Sequence, residues 1–202
     1  MDYTRPWHRL NISTENAVRK DFDFKELYNK SQFAELPGGI WKFNNQTIHE
    51  LFSAPWLAYM TELGLEVGSC TVVYRSPHYI HPQAHVDTFR DFSPTLYGLN
   101  FTLDANDDSD MVWYDPPQDV GEFTLAGGIE TKLYDMKLIQ DYELSRVCIG
   151  TQLTLVNVTY PHNIIVRERE RWSISVRLTP EANANINSWA DAVDKYQSFI
   201  LN

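Results

Sequence analysis

Two histidines and an aspartate in this sequence have the types and the spacing of a metal site. His85 and Asp87 stand two residues apart, between Pro82 and an apolar segment that begins at Leu96. Residues i and i+2 of a strand point to the same face, so both side chains can reach one ion. A histidine from a distant strand, His162, would complete a triad of two histidines and one carboxylate. Such a triad binds Fe(II) and leaves positions open for substrate and oxygen.

A second pattern follows His162 and gives the triad its context. A lone His-x-Asp pair arises often by chance, and a single histidine is more often structural than a ligand. Nine residues after His162, polar Arg171, Ser173, Ser175 and Arg177 alternate with apolar residues, which predicts a strand with one polar face. A solvated outer face would explain that row. Beside a metal ligand, the arginine fork and a neighbouring hydroxyl would instead suit the distal carboxylate of a keto acid.

Together these motifs resemble the Fe(II)/2-oxoglutarate-dependent dioxygenases, in particular small phage-like members similar to prolyl and aspartyl hydroxylases. The likeness covers roughly residues 67–178. It includes TLYGLNFTLD after His-x-Asp, and LTLVNVTYPHNIIVRERERWSISVRL, which resembles the closing hairpin of that family. The resemblance implies a double-stranded β-helix, a relative of the jelly roll.

The resemblance also implies roles for individual residues. It implies three ligands for Fe(II): His85, Asp87 and His162. Arg171 would bind the C5 carboxylate of the cosubstrate 2-oxoglutarate, and Ser173 would be a helper hydroxyl. Family members often place the arginine a residue or two further along, so Arg177 on the same face is an alternative anchor. Tyr74 and Asn100 could also contact the cosubstrate, although a core tyrosine and a structural amide explain them equally well.

The implied activity is hydroxylation of a small molecule or a protein side chain, with 2-oxoglutarate as cosubstrate and ascorbate as an optional reductant. One alternative is a non-catalytic or structural protein on the same fold, such as a phage accessory protein. Another is a cupin-like metalloprotein that does not use 2-oxoglutarate. Asp87 and the Arg-x-Ser strand weigh against the cupin, whose first motif typically carries a second histidine at the position of Asp87.

The remaining histidines and aromatic residues near these motifs have simpler explanations. His78 and His81 precede His85 and could form a second metal cluster, but Pro77 and Pro82 argue against a regular face there. We therefore expect both histidines at the pocket rim or the surface. Trp113 and Tyr114 belong either to the substrate mouth or, more commonly for such residues, to an aromatic core.

The sequence predicts β-strands for most of the segments that position these residues. Many short strands with turn signals, and no alternation of strands and helices, predict a jelly roll with helices packed outside it. We expect a single domain with mainly helical support in residues 1–66, a double-stranded β-helix core in 67–179 and a C-terminal helix in 180–202.

Composition excludes several classes of protein. The 202 residues include 27 acidic and 17 basic side chains, a net charge of −10, which makes nucleic acid an improbable partner. Two cysteines cannot form a disulfide scaffold, which favours a reducing cytoplasm. No apolar run reaches the length of a membrane span, so no membrane partner is expected. The oligomeric state stays open.

Overall fold

In a computed structural model of the chain, two antiparallel sheets face one another, with six strands each among the described residues. The structure describes residues 2–34, 36–79, 81, 83–87, 96–104, 108–117, 119–126 and 129–201. Because the inner faces of the two sheets enclose the candidate site, the strand order decides which side chains meet there.

The first sheet, called the major sheet here, contains the strand with the alternating polar row. Its order across the sheet is β1 (Trp7–Arg9), β10 (Thr154–Asn157), β5 (Tyr97–Thr102), β12 (Arg171–Leu178), β3 (Val67–Arg75) and β2 (Gly38–Phe43). β12 is central, paired with β3 on one side and β5 on the other. Its polar side chains are therefore flanked by strands on both sides.

The second sheet, called the minor sheet, contains both histidines of the predicted triad. Its order is β7 (Glu122–Ala126), β8 (Ile129–Asp135), β4 (Gln83–His85), β11 (His162–Val166), β6 (Ser109–Tyr114) and β9 (Glu143–Val147). The β7–β8 hairpin comes between β6 and β9 in the chain and extends the sheet beyond β4. This insertion places β4 inside the sheet rather than at its edge.

Successive core strands alternate between the sheets except at β6 and β9, which pair within the minor sheet; this is the topology of a double-stranded β-helix. β3, β5, β10 and β12 lie in the major sheet, whereas β4, β6, β9 and β11 lie in the minor sheet. The predicted fold class, a mainly β jelly roll with flanking helices, is confirmed. The predicted closing hairpin is wrong: β11 pairs with β4 and β6, and β12 with β3 and β5, so the chain crosses between sheets at residues 167–170.

Helices cover the outer face of the major sheet. They are α1 (Phe24–Asn29), α2 (Ile48–Leu51), α3 (Ala54–Glu62) and α5 (Trp189–Tyr196), while α4 (Met136–Ile139) packs on the minor sheet. Short 3-10 turns follow α4 and α5 at Gln140–Tyr142 and Gln197–Phe199. The largest apolar cluster joins these helices to the outward side chains of β3, β5 and β12, among them Trp56, Met60, Val72, Leu99, Ile174 and Val176.

Local sequence explains where the helices begin. Ser53 accepts a hydrogen bond from the Trp56 amide, and Pro55 occupies the first turn of α3, where its missing N–H costs nothing. Ser188 caps α5 in the same way through the amide of Asp191. Residues 1–66 also contribute β1 and β2, which add strands to a region we expected to be mainly helical.

The space between the sheets is divided into an apolar part and a polar part. Met111, Trp113, Val156 and Val158 form a buried cluster on one side of it. On the other side, the inward residues of β12 are the alternating arginines and serines. The polar row therefore faces the interior of the jelly roll, and a solvated outer face is excluded as its explanation.

Candidate metal and cosubstrate site

The strand pairing of the minor sheet brings the two predicted histidine ligands together. His85 ends β4 and lies directly opposite His162, the first residue of β11. Their ring centroids are 4.5 Å apart. Just beyond β4, the Asp87 amide donates a hydrogen bond to the Val158 carbonyl at 3.0 Å, which holds the aspartate next to both rings. Strand register thus brings together two histidines that are 77 positions apart in sequence.

The geometry of the cluster suits a metal ion. One ligand atom from each of His85, Asp87 and His162 lies within 4.8 Å of the others. Asp87 Oδ1 is 3.4 Å from His85 Nε2 and 3.9 Å from His162 Nε2. His162 Nδ1 lies 3.0 Å from the Tyr160 carbonyl oxygen, which accepts its proton and leaves the Nε2 lone pair directed at the cluster. Two imidazoles and one carboxylate are the donor set that divalent iron accepts.

Burial and charge set the protonation of these ligands. Burial lowers the pKa of His162 to about 4, and the nearby His85 adds to this effect, so His162 is neutral at pH 7. Burial opposes ionisation of Asp87, but its hydrogen bond to His85 and the positive charge of Arg177 hold its pKa well below the ordinary value. A neutral histidine beside an ionised carboxylate is the state that binds a cation.

The second arginine of the polar row, Arg177, contacts this carboxylate. Its Nη2 donates to Asp87 Oδ2 at 3.0 Å, while its Nη1 donates to Ser175 Oγ at 2.5 Å. Ser175 in turn donates to Asn100 Oδ1 at 2.6 Å. Gly98 makes this packing feasible, because a Cβ there would lie 2.4 Å from Arg177 Nη1. Arg177 is therefore an ion-pair partner of Asp87, and one carboxylate oxygen remains turned toward the histidines.

The first arginine, Arg171, lies at the other end of the same strand face. Arg171 is 5% exposed and Ser173 6% exposed, and Arg171 Nη1 donates to Ser173 Oγ at 2.7 Å. Six residues of strand span roughly 20 Å between the Cα atoms of Arg171 and Arg177. The two arginines thus mark opposite ends of an inward polar row, with the histidine–aspartate cluster at the Arg177 end.

The structure does not bring Tyr74 into this site. Tyr74 pairs with Trp172 across β3 and β12, so it shares the outward face with Trp172 rather than the inward face of Arg171. Its ring packs 4.8 Å from Trp172 and 4.7 Å from Tyr28, and its hydroxyl donates to Glu170. The contact predicted between Tyr74 and the cosubstrate is therefore corrected to a role in the outer aromatic core.

Asn100 faces inward and connects the polar row to the apolar cluster. It lies opposite Ser175 in the β5–β12 ladder, accepts the Ser175 hydroxyl proton, and has its amide nitrogen 4.0 Å from Met111 Sδ. In this arrangement the amide supports Ser175, and through it Arg177. Trp113 is fully buried and donates to the Asn157 carbonyl, which makes it a core residue.

The two histidines before the triad lie apart from the cluster. The His78 side chain is 68% exposed and sits 3.7 Å from Glu168, as expected for a surface residue. His81 is half-buried, with its ring nitrogen Nδ1 held against the backbone of Gln83 and its carbonyl accepting from Asn163. Cys70 is a buried thiol that forms no disulfide.

Three groups that contribute to the site were not predicted from the sequence. They are the Tyr160 carbonyl that orients His162, Gly98 under Arg177, and Arg75, which lies beside Arg171 on the inward face. Gly98 had a detectable signal, since a glycine inside a strand marks a close approach of another group. Asp110 in β6 is 7% exposed and pairs with Arg146 and Arg167.

Comparisons with known proteins concern the fold. No protein-family model and no curated protein matches the chain. Among solved structures it is similar to a prolyl-4-hydroxylase from Pseudomonas putida, with 19% identity and a TM-score of 0.41 over 70% of this chain and 72% of that chain. It is also similar to two variants of Bacillus subtilis oxalate decarboxylase, with 8% and 7% identity and TM-scores of 0.35 and 0.37. They match 69% and 74% of this chain, and the matched part is about a quarter of the decarboxylase chains.

None of the described helices is long and apolar enough to cross a membrane.

Proposed function

We propose that this protein is an Fe(II)- and 2-oxoglutarate-dependent dioxygenase that hydroxylates a small molecule or a protein side chain. The observation that carries the proposal is the convergence of His85, Asp87 and His162 on the inner face of a double-stranded β-helix. The buried Arg171–Ser173 pair supports it, because this pair lies on the opposing inner face. The net charge of −10 argues against a nucleic-acid substrate.

The three residues would hold Fe(II) through His85 Nε2, His162 Nε2 and Asp87 Oδ1. Their mutual distances and the fixed tautomer of His162 fit such an ion. When bound, Fe(II) supplies the redox chemistry in which O₂ oxidises 2-oxoglutarate to succinate and CO₂ and the substrate is hydroxylated. The His85 side chain is 43% exposed, whereas that of His162 is 7% exposed, so the cluster opens to solvent on the His85 side.

The protein's own side chains bind and orient the reactants in this proposal. Arg171 binds the far carboxylate of 2-oxoglutarate with a planar, permanently charged fork, and Ser173 holds that fork in place. Arg177 keeps Asp87 ionised and fixes its orientation through Oδ2. Arg177 is thereby assigned a positioning role, and Arg171 is preferred over it as the cosubstrate anchor.

Succinate formation from 2-oxoglutarate tests the proposed function. Purified protein is incubated with Fe(II), 2-oxoglutarate, ascorbate and air, and succinate is measured with and without a panel of small molecules and peptides. We expect succinate to form slowly without substrate and faster with a true substrate. Succinate formation should be lost in His85→Ala and Asp87→Ala. Metal binding without any 2-oxoglutarate consumption or binding would favour the cupin-like alternative. A protein that binds neither would support a structural role.

A further inference from the structure

Arg75, the last residue of β3, lies beside Arg171 on the inward face of the major sheet. The two arginines are direct partners in the β3–β12 ladder, and opposed residues of an antiparallel pair project to the same face. On its other side Arg75 is paired with Gly38 of β2. A Cβ at Gly38 would lie 2.9 Å from Arg75 Nη1, so the glycine leaves room for the guanidinium.

Among the described residues, the guanidinium of Arg75 contacts a backbone carbonyl and an aromatic ring. Its Nη1 donates to the Tyr74 carbonyl at 2.8 Å, and its Cζ lies 5.0 Å from the centroid of the Tyr79 ring. Within the described part of the chain no carboxylate pairs with it. In contrast, Arg167 pairs with Asp108 and Asp110 elsewhere on the molecule.

An arginine that has no carboxylate partner among the described residues is a candidate site for an anion that binds from solution. Burial lowers the pKa of the Arg75 guanidinium, yet an arginine keeps its proton at neutral pH. A charge withdrawn from water is costly unless it is paired. The planar guanidinium stacked on an aromatic ring is well suited to bind a carboxylate through its remaining N–H groups.

Arg75 lies on the inner face of the major sheet, which is opposite the inner face of the minor sheet that carries His85 and His162. The guanidinium of Arg75 lies over the Tyr79 ring. The centroids of the Tyr79 and His81 rings are 6.2 Å apart. The Asn163 side chain donates a hydrogen bond to the His81 carbonyl at 2.9 Å, which ties this segment to β11, the strand that carries His162. Arg75 is partly exposed, whereas Arg171 is buried, so Arg75 lies nearer to solvent.

We propose that Arg75 binds a carboxylate of the substrate to be hydroxylated, so that the substrates of this protein are acids. This inference rests on the proposed function, because it assigns the neighbouring Arg171 to 2-oxoglutarate. A carboxylate could reach Arg75 from a substrate or from the cosubstrate itself. The greater exposure of Arg75 favours the substrate, which must enter and leave while 2-oxoglutarate occupies the deeper arginine.

This assignment can be tested by comparing the binding affinities of acids with those of their neutral amides, without measuring activity. Protein loaded with Mn(II) and saturating 2-oxoglutarate is titrated with N-acetyl-aspartate, N-acetyl-glutamate and their neutral amides, with tryptophan fluorescence as the readout. We expect the acids to bind wild-type protein at least tenfold more tightly than the amides. Arg75→Gln should remove this preference and Arg75→Lys should keep part of it. Arg169→Gln, which changes an exposed arginine outside the cavity, should leave it intact.

The outcomes separate this inference from the proposed function. No preference for acids in the wild type, or an equal preference in Arg75→Gln with unchanged thermal unfolding, would overturn the substrate assignment. A tenfold loss of 2-oxoglutarate affinity in Arg75→Gln would assign Arg75 to the cosubstrate and also overturn it. If wild-type protein does not bind 2-oxoglutarate, the proposed function fails, and the same titration on Mn(II)-loaded protein alone still tests Arg75.

Discussion

The guanidinium of Arg177 contacts the carboxylate of Asp87 through Nη2 and Oδ2, 3.0 Å apart, and this contact links the two sheets at the candidate metal site. Arg177 belongs to β12 of the major sheet, whereas Asp87 directly follows β4 of the minor sheet. Both side chains are about one-fifth exposed. The pair therefore joins the polar row to the metal cluster and leaves Oδ1 facing both histidines.

Arg177→Met should destabilise the metal-free protein. Removing one partner of a buried ion pair leaves the other charge uncompensated, which typically costs roughly 3–5 kcal/mol. Because this pair is partly exposed, we expect the lower end, about 3 kcal/mol, in the free energy of unfolding by urea. The double variant Arg177→Met/Asp87→Asn should recover part of that loss. Additive losses in the double variant would show that the two side chains do not interact.

Gly98→Ala should act through Arg177. The added methyl group would lie 2.4 Å from Arg177 Nη1, so the guanidinium must move away from Asp87 and Ser175. We expect a cost of about 1–3 kcal/mol, as for other overpacked sites. In an Arg177→Met background the same change should be nearly neutral, because its closest neighbour is gone. Equal costs of Gly98→Ala in both backgrounds would contradict this account.

Substitution of the triad should remove metal binding selectively. We expect His85→Ala, Asp87→Ala and His162→Ala each to weaken Mn(II) binding by more than about 100-fold, since outer partners of metal ligands alone are worth roughly 10–100-fold. His78→Ala and His81→Ala are matched controls from the same segment of chain, and their affinities should stay within threefold of wild type. Loss of binding in a control variant together with retention in a triad variant would move the site to the other histidines.

The stability of the metal-free protein should fall as the pH is lowered from about 6.5 toward 4. Burial lowers the pKa of His162 from its ordinary value of 6.5 to about 4, so in this range an unfolded chain binds a proton that the native chain does not. The free energy of unfolding therefore decreases as the pH falls.

Urea unfolding at several pH values measures this slope. It should be shallower in His162→Gln, while His49→Gln, at an exposed histidine, should keep the wild-type slope. Some slope should remain in His162→Gln, because burial also lowers the pKa of His8 and His81. Identical slopes in His162→Gln and wild type would contradict the assignment of a neutral, buried His162.

The parts of the site that depend on a two-residue period were predictable from the sequence. Alternation along β12 placed Arg171, Ser173 and Arg177 on one face, and the structure shows them there. The predicted contact between Tyr74 and the cosubstrate was wrong for a related reason. Its own strand shows which residues share its face, but only the register opposite Trp172 shows that this face is turned outward.

Features that arise from contacts between distant segments were not predictable in this way. The crossing of β11 and β12 into different sheets depends on the pairing of four other strands, although the two segments are close enough in sequence to suggest a hairpin. The choice between Arg171 and Arg177 likewise required the position of Asp87. That position is set by a hydrogen bond to Val158, a residue 71 positions later in the chain.

Titration of Mn(II)-loaded protein with 2-oxoglutarate by calorimetry tests the central claim most directly. The site predicts one molecule bound per chain, with binding that depends on the metal and is weakened at least tenfold by Arg171→Gln. Absence of metal-dependent binding to wild-type protein, or unchanged affinity in a folded Arg171→Gln variant, would contradict it.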